Sequence, residues 1–236
     1  MTTLFINGSP KSKGSTSALL TGLLSLCVRG EVIKEQVGLK GDHHRILHQI
    51  KGGNTVVFVL PLYLDGIPAH VLAFMKEMES YCQEELLELK IYVVSNGGFI
   101  EGRQSQPLMD VFENFCARCH FKWCGGVGIG GGVMINVLRT LLLAFVGLFV
   151  VQCALWGVSA ALPILLQQLT VLLLLSLGVL CYGLRLAFAI NKGKCCGVGY
   201  TRVLLPSFAF ILFADLYFLV ISIWKGGFFK GWLRGK

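Results

Sequence analysis

The chain has 236 residues, 54% of them hydrophobic and only 14% charged, with a formal net charge of +8. Ordinary soluble domains carry about 25% charged residues, so this balance excludes a disordered chain, a collagen-like chain and a purely soluble globule of average type. It points to a membrane protein, or to a soluble domain joined to membrane segments. The charge is uneven. Residues 1–136 hold 12 Lys/Arg and 12 Asp/Glu, whereas residues 137–236 hold nine Lys/Arg against Asp215 alone, which accounts for the whole excess. Positive charge flanking apolar runs suits membrane-facing loops, not a nucleic-acid surface, and no nucleic-acid partner is expected.

The first part alternates strand and helix patterns. Thr3–Asn7 is a short apolar run, read as a buried strand, and Ser15–Cys27 has Leu19, Leu20, Leu23 and Leu24 at helical spacing behind a Ser/Thr cap. Val32–Val37 reads as an edge strand and Asp42–Ile50 as a short helix. The continuous run Thr55–Tyr63 suits a strand covered on both faces. Pro68–Tyr81 is expected to be helical, Lys90–Ser95 a strand, Pro107–Phe121 a helix and Trp123–Ile129 a fifth strand. Strands alternating with helices predict a parallel α/β sheet, and five strands over residues 1–133 fit a flavodoxin-like doubly wound domain of order 2-1-3-4-5.

Residues 137–236 are expected to form an all-α transmembrane region. Between Arg139 and Arg185 there is no charged residue, a run too long for one crossing of about 20 residues. Pro163, preceded by Ser159, Ala160 and Ala161, suggests a turn, giving helices near 138–160 and 163–186. A basic loop with Lys192, Lys194 and Arg202 precedes a third apolar segment, 203–224, which contains Asp215. An acid at mid-bilayer costs roughly 2.5–3.5 kcal/mol, against roughly 0.3–0.6 gained per large apolar residue. With 14 Leu, Ile, Val and Phe residues in the segment, insertion is favoured. Three crossings place the basic tail opposite the first part, against the positive-inside rule, so an interfacial third segment is the competing topology. The expected location is the cell membrane, multi-pass, with residues 1–133 on the cytoplasmic side. The opening Met1-Thr2-Thr3-Leu4 leads into a strand pattern with no secretory leader, and the nine cysteines are scattered, which suits a reducing compartment.

In open parallel sheets ligands sit beyond the carboxyl ends of the strands, near the point where strand order reverses. Three loops leave strand ends on that side. Asn7-Gly8-Ser9-Pro10-Lys11-Ser12-Lys13-Gly14-Ser15-Thr16-Ser17 joins strand one to helix one. Small residues, hydroxyls, a lysine and a helix N-terminus together suit a phosphate, although the segment matches neither the P-loop nor the GxGxxG pattern. A simple capped turn is the alternative. Pro61-Leu62-Tyr63-Leu64-Asp65-Gly66-Ile67-Pro68 follows strand three and sets an aromatic between prolines, suited to a flat heterocycle or to a rigid turn. Ser95-Asn96-Gly97-Gly98-Phe99-Ile100-Glu101-Gly102 follows strand four, and its paired glycines permit close backbone approach or an ordinary Asn-Gly turn.

Taken together, NGSPKSKGSTS, PLYLDGIP and SNGGFIEG, followed by GVGIGGG, resemble the flavodoxin-like NAD(P)H-dependent FMN reductase family over about residues 1–133. They are similar also to the flavin domain of iron-sulfur flavoproteins. The resemblance implies FMN as cofactor and NAD(P)H as co-substrate. Ser9, Lys11, Ser15, Thr16 and Ser17 match the positions that hold the FMN phosphate. Pro61, Leu62, Tyr63 and Asp65 match the loop beside the isoalloxazine, and Asn96, Gly97 and Gly98 match the loop along the flavin edge. Where the family often has Arg after Gly-Ser-Pro, this chain has Lys11, which keeps the charge and loses the bidentate fork. Iron-sulfur members carry a cysteine cluster between the second and third strand regions, whereas residues 28–81 here contain no cysteine. Related domains commonly pair, so a homodimer is expected by analogy.

Other signals are set aside. Cys116-Ala-Arg-Cys119-His120 matches the CxxCH haem pattern, but haem attachment happens outside the cytoplasm and Cys116 would face a core; with Cys124 the segment has residue types suited to zinc, but no second CxxC partner. His43, His44 and His48 read as a solvated helix face, and Cys195-Cys196 as two ordinary cysteines. No metal is expected, and no side chain stands out as a general acid. The sequence therefore predicts a membrane-anchored FMN-dependent oxidoreductase that passes electrons from NAD(P)H to a quinone, a small-molecule acceptor or a membrane electron-transfer protein. An FMN-binding carrier or redox sensor without its own NAD(P)H reaction is the alternative; a transporter-like membrane protein with a degenerate domain ranks last.

Overall fold

The computed structural model describes residues 2–11, 14–38, 43–63, 66–85, 87–224 and 226–227. The chain divides into two compact units, Met1–Val203 and Leu204–Lys236. In the first, strands β1 (Thr2–Asn7), β2 (Glu31–Gln36), β3 (Thr55–Pro61), β4 (Lys90–Asn96), β5 (Lys122–Gly130) and β6 (Gly197–Arg202) form one sheet of order β2-β1-β3-β4-β5-β6. Every pairing is parallel. Helices α1 (Thr16–Cys27), α2 (His43–Lys51), α3 (Ala69–Glu84) and α4 (Gln106–Arg118) connect the first five strands.

The first five strands keep the flavodoxin order expected from the sequence. The sixth corrects that expectation twice: the sheet has six strands, and the second part of the chain is not all-α. The segment Gly197–Arg202, expected as loop, pairs with β5 from Gly125↔Gly197 to Gly130↔Arg202. Its own sequence, GVGYTR, is too poor in apolar residues to announce a strand. What recruits it is the unpaired edge of β5.

Side chains alternate across the sheet, as period two requires. Leu4, Ile6, Val56, Phe58, Ile91 and Val93 face a core closed by α2, α3 and α4. Phe5, Val57, Val59, Tyr92 and Val94 face a second core, closed by Leu20 and Leu24 of α1. The rest of that cover comes from an unexpected source. Leu186, Ala187, Ala189 and Ile190 belong to helix α6 (Val158–Lys192).

Helix α5 (Gly132–Trp156) starts directly after β5, and α6 returns to feed β6. The turn between them is at Gly157, with φ of 80°, and not at Pro163, which lies inside α6. Pro163 is the sixth residue of α6, so its missing N–H removes the bond to the Ser159 carbonyl without ending the helix. Both helices are long and apolar enough to cross a membrane. Leu143, Val150, Leu155, Leu166, Leu173 and Leu174 on them are exposed. A helix apolar on all sides suits lipid as its solvent. In the other unit, α7 (Ser207–Trp224) also has the length and composition of a span, and it carries Asp215.

Candidate functional site

All strands being parallel, their carboxyl ends share one edge. Strand order reverses between β1 and β3, so a crevice opens there between the loops after Asn7 and after Pro61. The β1 loop is pinned from several sides. Gly8 N–H donates to the Val59 carbonyl at 3.0 Å. A Cβ at Gly8 would run into the side chains of Leu60 and Val71, so the backbone lies flat on the core. Ser9 N–H donates to Asn7 Oδ1 at 3.0 Å, and Lys11 N–H to Ser9 Oγ at 3.3 Å. Gln36 Nε2 donates to the carbonyls of Ser9 and Lys11 at 2.8 and 2.9 Å. His70 Nε2 lies 3.0 Å from the Gly8 carbonyl, an acceptor, so that nitrogen carries the proton.

Ser15 is the N-cap of α1, its Oγ accepting from Ala18 N–H at 3.1 Å. The Thr16 and Ser17 N–H groups then head the first turn, without intrahelical acceptors and with no acidic residue in that turn. The Thr16 side chain is directed elsewhere: its hydroxyl donates to the Gly132 carbonyl at 3.0 Å and accepts from Asn136 Nδ2 at 2.7 Å. Ser17 is buried, and its Oγ accepts from Asn96 Nδ2 at 2.9 Å.

Asn96 ties the loops together, since its Nδ2 also donates to the Leu60 carbonyl at 2.9 Å and its own carbonyl accepts from Leu62 N–H at 2.9 Å. Gly97 donates to Ile129 O at 2.9 Å and accepts from Gly132 N–H at 2.6 Å. Pro61 is the buried end of β3, and Leu62 is buried beside it. Tyr63 is 47% exposed and Phe99 51% exposed, and a Cβ at Gly98 would meet open space. Asp65, with Ser12, Lys13 and Leu64, lies outside the described residues. Ser9, Ser15, Ser17, Pro61, Leu62, Tyr63, Asn96, Gly97 and Gly98 thus sit along one edge, and Lys11 is exposed at its margin.

The donor set fits a phosphomonoester: helix-end N–H groups, a serine hydroxyl, a nearby lysine and no acid in the first turn of α1. The rim of Leu62, Tyr63, Gly97, Gly98 and Phe99 fits a flat heterocycle, apolar with open backbone beside it. Sequence reading missed Gln36, His70 and Asn136, which brace the loops from distant elements. No local signal marks them. Phe99 was visible within its loop, as an aromatic next to paired glycines.

The cysteines singled out earlier lie elsewhere. Cys116, on α4, and Cys119, at its C-cap, are in the first core, and burial pushes their thiols up to about 12 and about 11. Among the described residues no three His, Cys, Asp or Glu side chains gather as a metal site.

No family model matches the chain, and no curated protein matches it. Solved structures similar to it include an NADPH-quinone reductase from P. pentosaceus, at 15% identity and a TM-score of 0.48, covering 56% of this chain and 86% of that one. An NAD(P)H:quinone oxidoreductase from Methanothermobacter marburgensis has 15% identity and a TM-score of 0.45, with 59% and 92% covered. An FMN-dependent NADH-azoreductase from Bacillus anthracis, in complex with FMN, has 18% identity and a TM-score of 0.39, with 56% and 88% covered.

Proposed function

We propose that this chain is a membrane-anchored flavin oxidoreductase, taking electrons from NAD(P)H through FMN and delivering them to an acceptor in or at the bilayer, a quinone being the fitting class. The convergence of three loops on the reversal point of the sheet carries this reading. The Thr16 and Ser17 amides, Ser9 and Lys11 would hold the phosphate. Leu62, Tyr63, Gly97 and Gly98 would flank the ring. When bound, FMN supplies the hydride and electron chemistry; the chain supplies binding, orientation and access.

The path of the chain supports the choice of acceptor. α5 leaves the sheet at the carboxyl end of β5, beside Gly97 and Thr16. α6 comes back along the face of the sheet, with Leu186, Ala187, Ala189 and Ile190 buried there, and reaches the amino end of β6. The charge-free stretch of the hairpin therefore projects beyond the edge that carries the candidate site. From Gly132 to Arg139 the helix rises about 10 Å at 1.5 Å per residue, so the site would lie close to the lipid surface. Arg139 and Arg185 bracket the apolar stretch at its domain end, which favours a cytoplasmic domain.

The test is absorbance of the detergent-purified full chain, before and after anaerobic addition of NADH or NADPH. A yellow protein that bleaches within seconds supports the reductase. A yellow protein that stays oxidised would make it a carrier, and a colourless protein indifferent to added FMN would end the flavin assignment. In vesicles, re-oxidation by a long-chain quinone dissolved in the lipid should outpace re-oxidation by a water-soluble acceptor at equal total concentration.

A further inference from the structure

At the opposite edge of the sheet, far from the candidate flavin rim, two cysteines 71 positions apart in the chain meet. Cys195 Sγ lies 3.3 Å from Cys124 Sγ. Cys124 is buried in the second core, next to a register shift between β4 and β5. Cys195 is exposed, in the link between α6 and β6. The backbone fixes the pair: Cys196 N–H donates to the Cys124 carbonyl at 2.8 Å, and Tyr92 Oη donates to the Lys194 carbonyl at 2.9 Å. Arg185 Nη2 holds the Cys196 carbonyl from the other side at 2.5 Å. Thiols held side by side, one open to solvent and one behind it, have the arrangement of an attacking and a resolving cysteine.

We propose that Cys124 and Cys195 form a redox-active dithiol that hydrogen peroxide oxidises to a disulfide, locking β6 and the end of α6 onto β5. The Cys195 thiolate attacks a peroxide oxygen; an S–O bond forms, the O–O bond breaks, and the leaving hydroxide takes a proton to become water. Cys124 sulfur then attacks the Cys195 sulfur, forming the S–S bond as the S–O bond breaks. The second oxygen departs as water with the Cys124 thiol proton. Two thiols lose two electrons, and one peroxide is reduced to two waters. A small dithiol reductant reverses the change by exchange. Neither step uses FMN.

The experiment uses the full reduced chain in detergent, treated anaerobically with graded hydrogen peroxide, followed by thiol blocking and peptide mapping. One equivalent should remove two thiols and join the Cys124 peptide to the Cys195 peptide. Cys196→Ser should behave the same, and Cys195→Ser, at an exposed position, should lose no thiol pair. In Cys124→Ser a sulfenic acid should be trapped on Cys195 by dimedone. Oxidised protein should melt higher than reduced protein, a difference absent in Cys195→Ser. Linkage of Cys195 to Cys196, cross-linking between chains, or equal thiol loss in Cys195→Ser would overturn the proposal. These readouts are independent of whether the protein binds flavin.

Discussion

The hydroxyl of Thr16 donates to the backbone carbonyl of Gly132 across 3.0 Å, and so joins the first turn of α1 to the first turn of α5. One end of this bond lies in the loop that matches a phosphate-binding segment. The other begins a helix with the length and composition of a membrane span. The candidate cofactor edge and the start of the apolar hairpin are therefore in direct hydrogen-bonded contact.

Thr16→Val keeps the shape and removes the donor. It leaves the Gly132 carbonyl and Asn136 Nδ2 without this partner, so the melting temperature should fall by an amount corresponding to about 1–2 kcal/mol. FMN affinity, measured by fluorescence quenching, should change less than it does for Lys11→Ala, because the Thr16 hydroxyl proton already has an acceptor.

Lys11→Ala removes the exposed positive charge beside the proposed phosphate position. Affinity for FMN should drop by about 1 kcal/mol, the scale of a solvent-screened charged contact. The loss should shrink as salt is raised. Calorimetric titration at two ionic strengths checks both, and the melting temperature without ligand should hardly move.

Excision separates the sheet from the apolar hairpin. A fragment ending at residue 133 loses Leu186, Ala187, Ala189 and Ile190 and uncovers the second core. It should aggregate. Replacing residues 140–180 by a short Gly/Ser linker, with 181–203 retained, should give a soluble, monodisperse protein by size-exclusion chromatography. In the full chain, Leu186→Ala should cost about 2–5 kcal/mol, as for other buried leucines, read as earlier proteolysis near β6.

Buried thiols make stability pH-dependent on the alkaline side. Burial raises Cys82 and Cys116 from the ordinary thiol range near 9 to about 12. Because the folded state holds the proton more tightly, this contribution is fully present below about pH 9. It disappears as pH rises toward 12, so the melting temperature should decline across that interval. At pH 8, iodoacetamide should modify exposed Cys195 well before Cys116.

The local patterns were enough to define much of this protein. TVVFVLP announced a doubly covered strand because seven consecutive apolar or β-forming residues have no solvated face to offer. The Ser/Thr run before Leu19 announced a helix start, since those side chains cap free amides. The charge-free interval between Arg139 and Arg185 announced helices long and apolar enough to cross a membrane, because so long an uncharged apolar run exceeds one crossing. Other features were decided by distance in space. That Gly197–Arg202 becomes a strand depends on the free edge of β5 and not on its own residues. That the last turns of α6 belong to the sheet depends on a vacancy beside α1, which Leu186 and Ile190 fill, although Leu186 reads as the end of an apolar helix and Ile190 as part of the loop after it. That Gln36, His70 and Asn136 brace the loops, and that Cys124 meets Cys195, follows from tertiary contacts between segments far apart in sequence. Local sequence encodes propensity and solvent preference; only the packed chain determines which distant groups share a site.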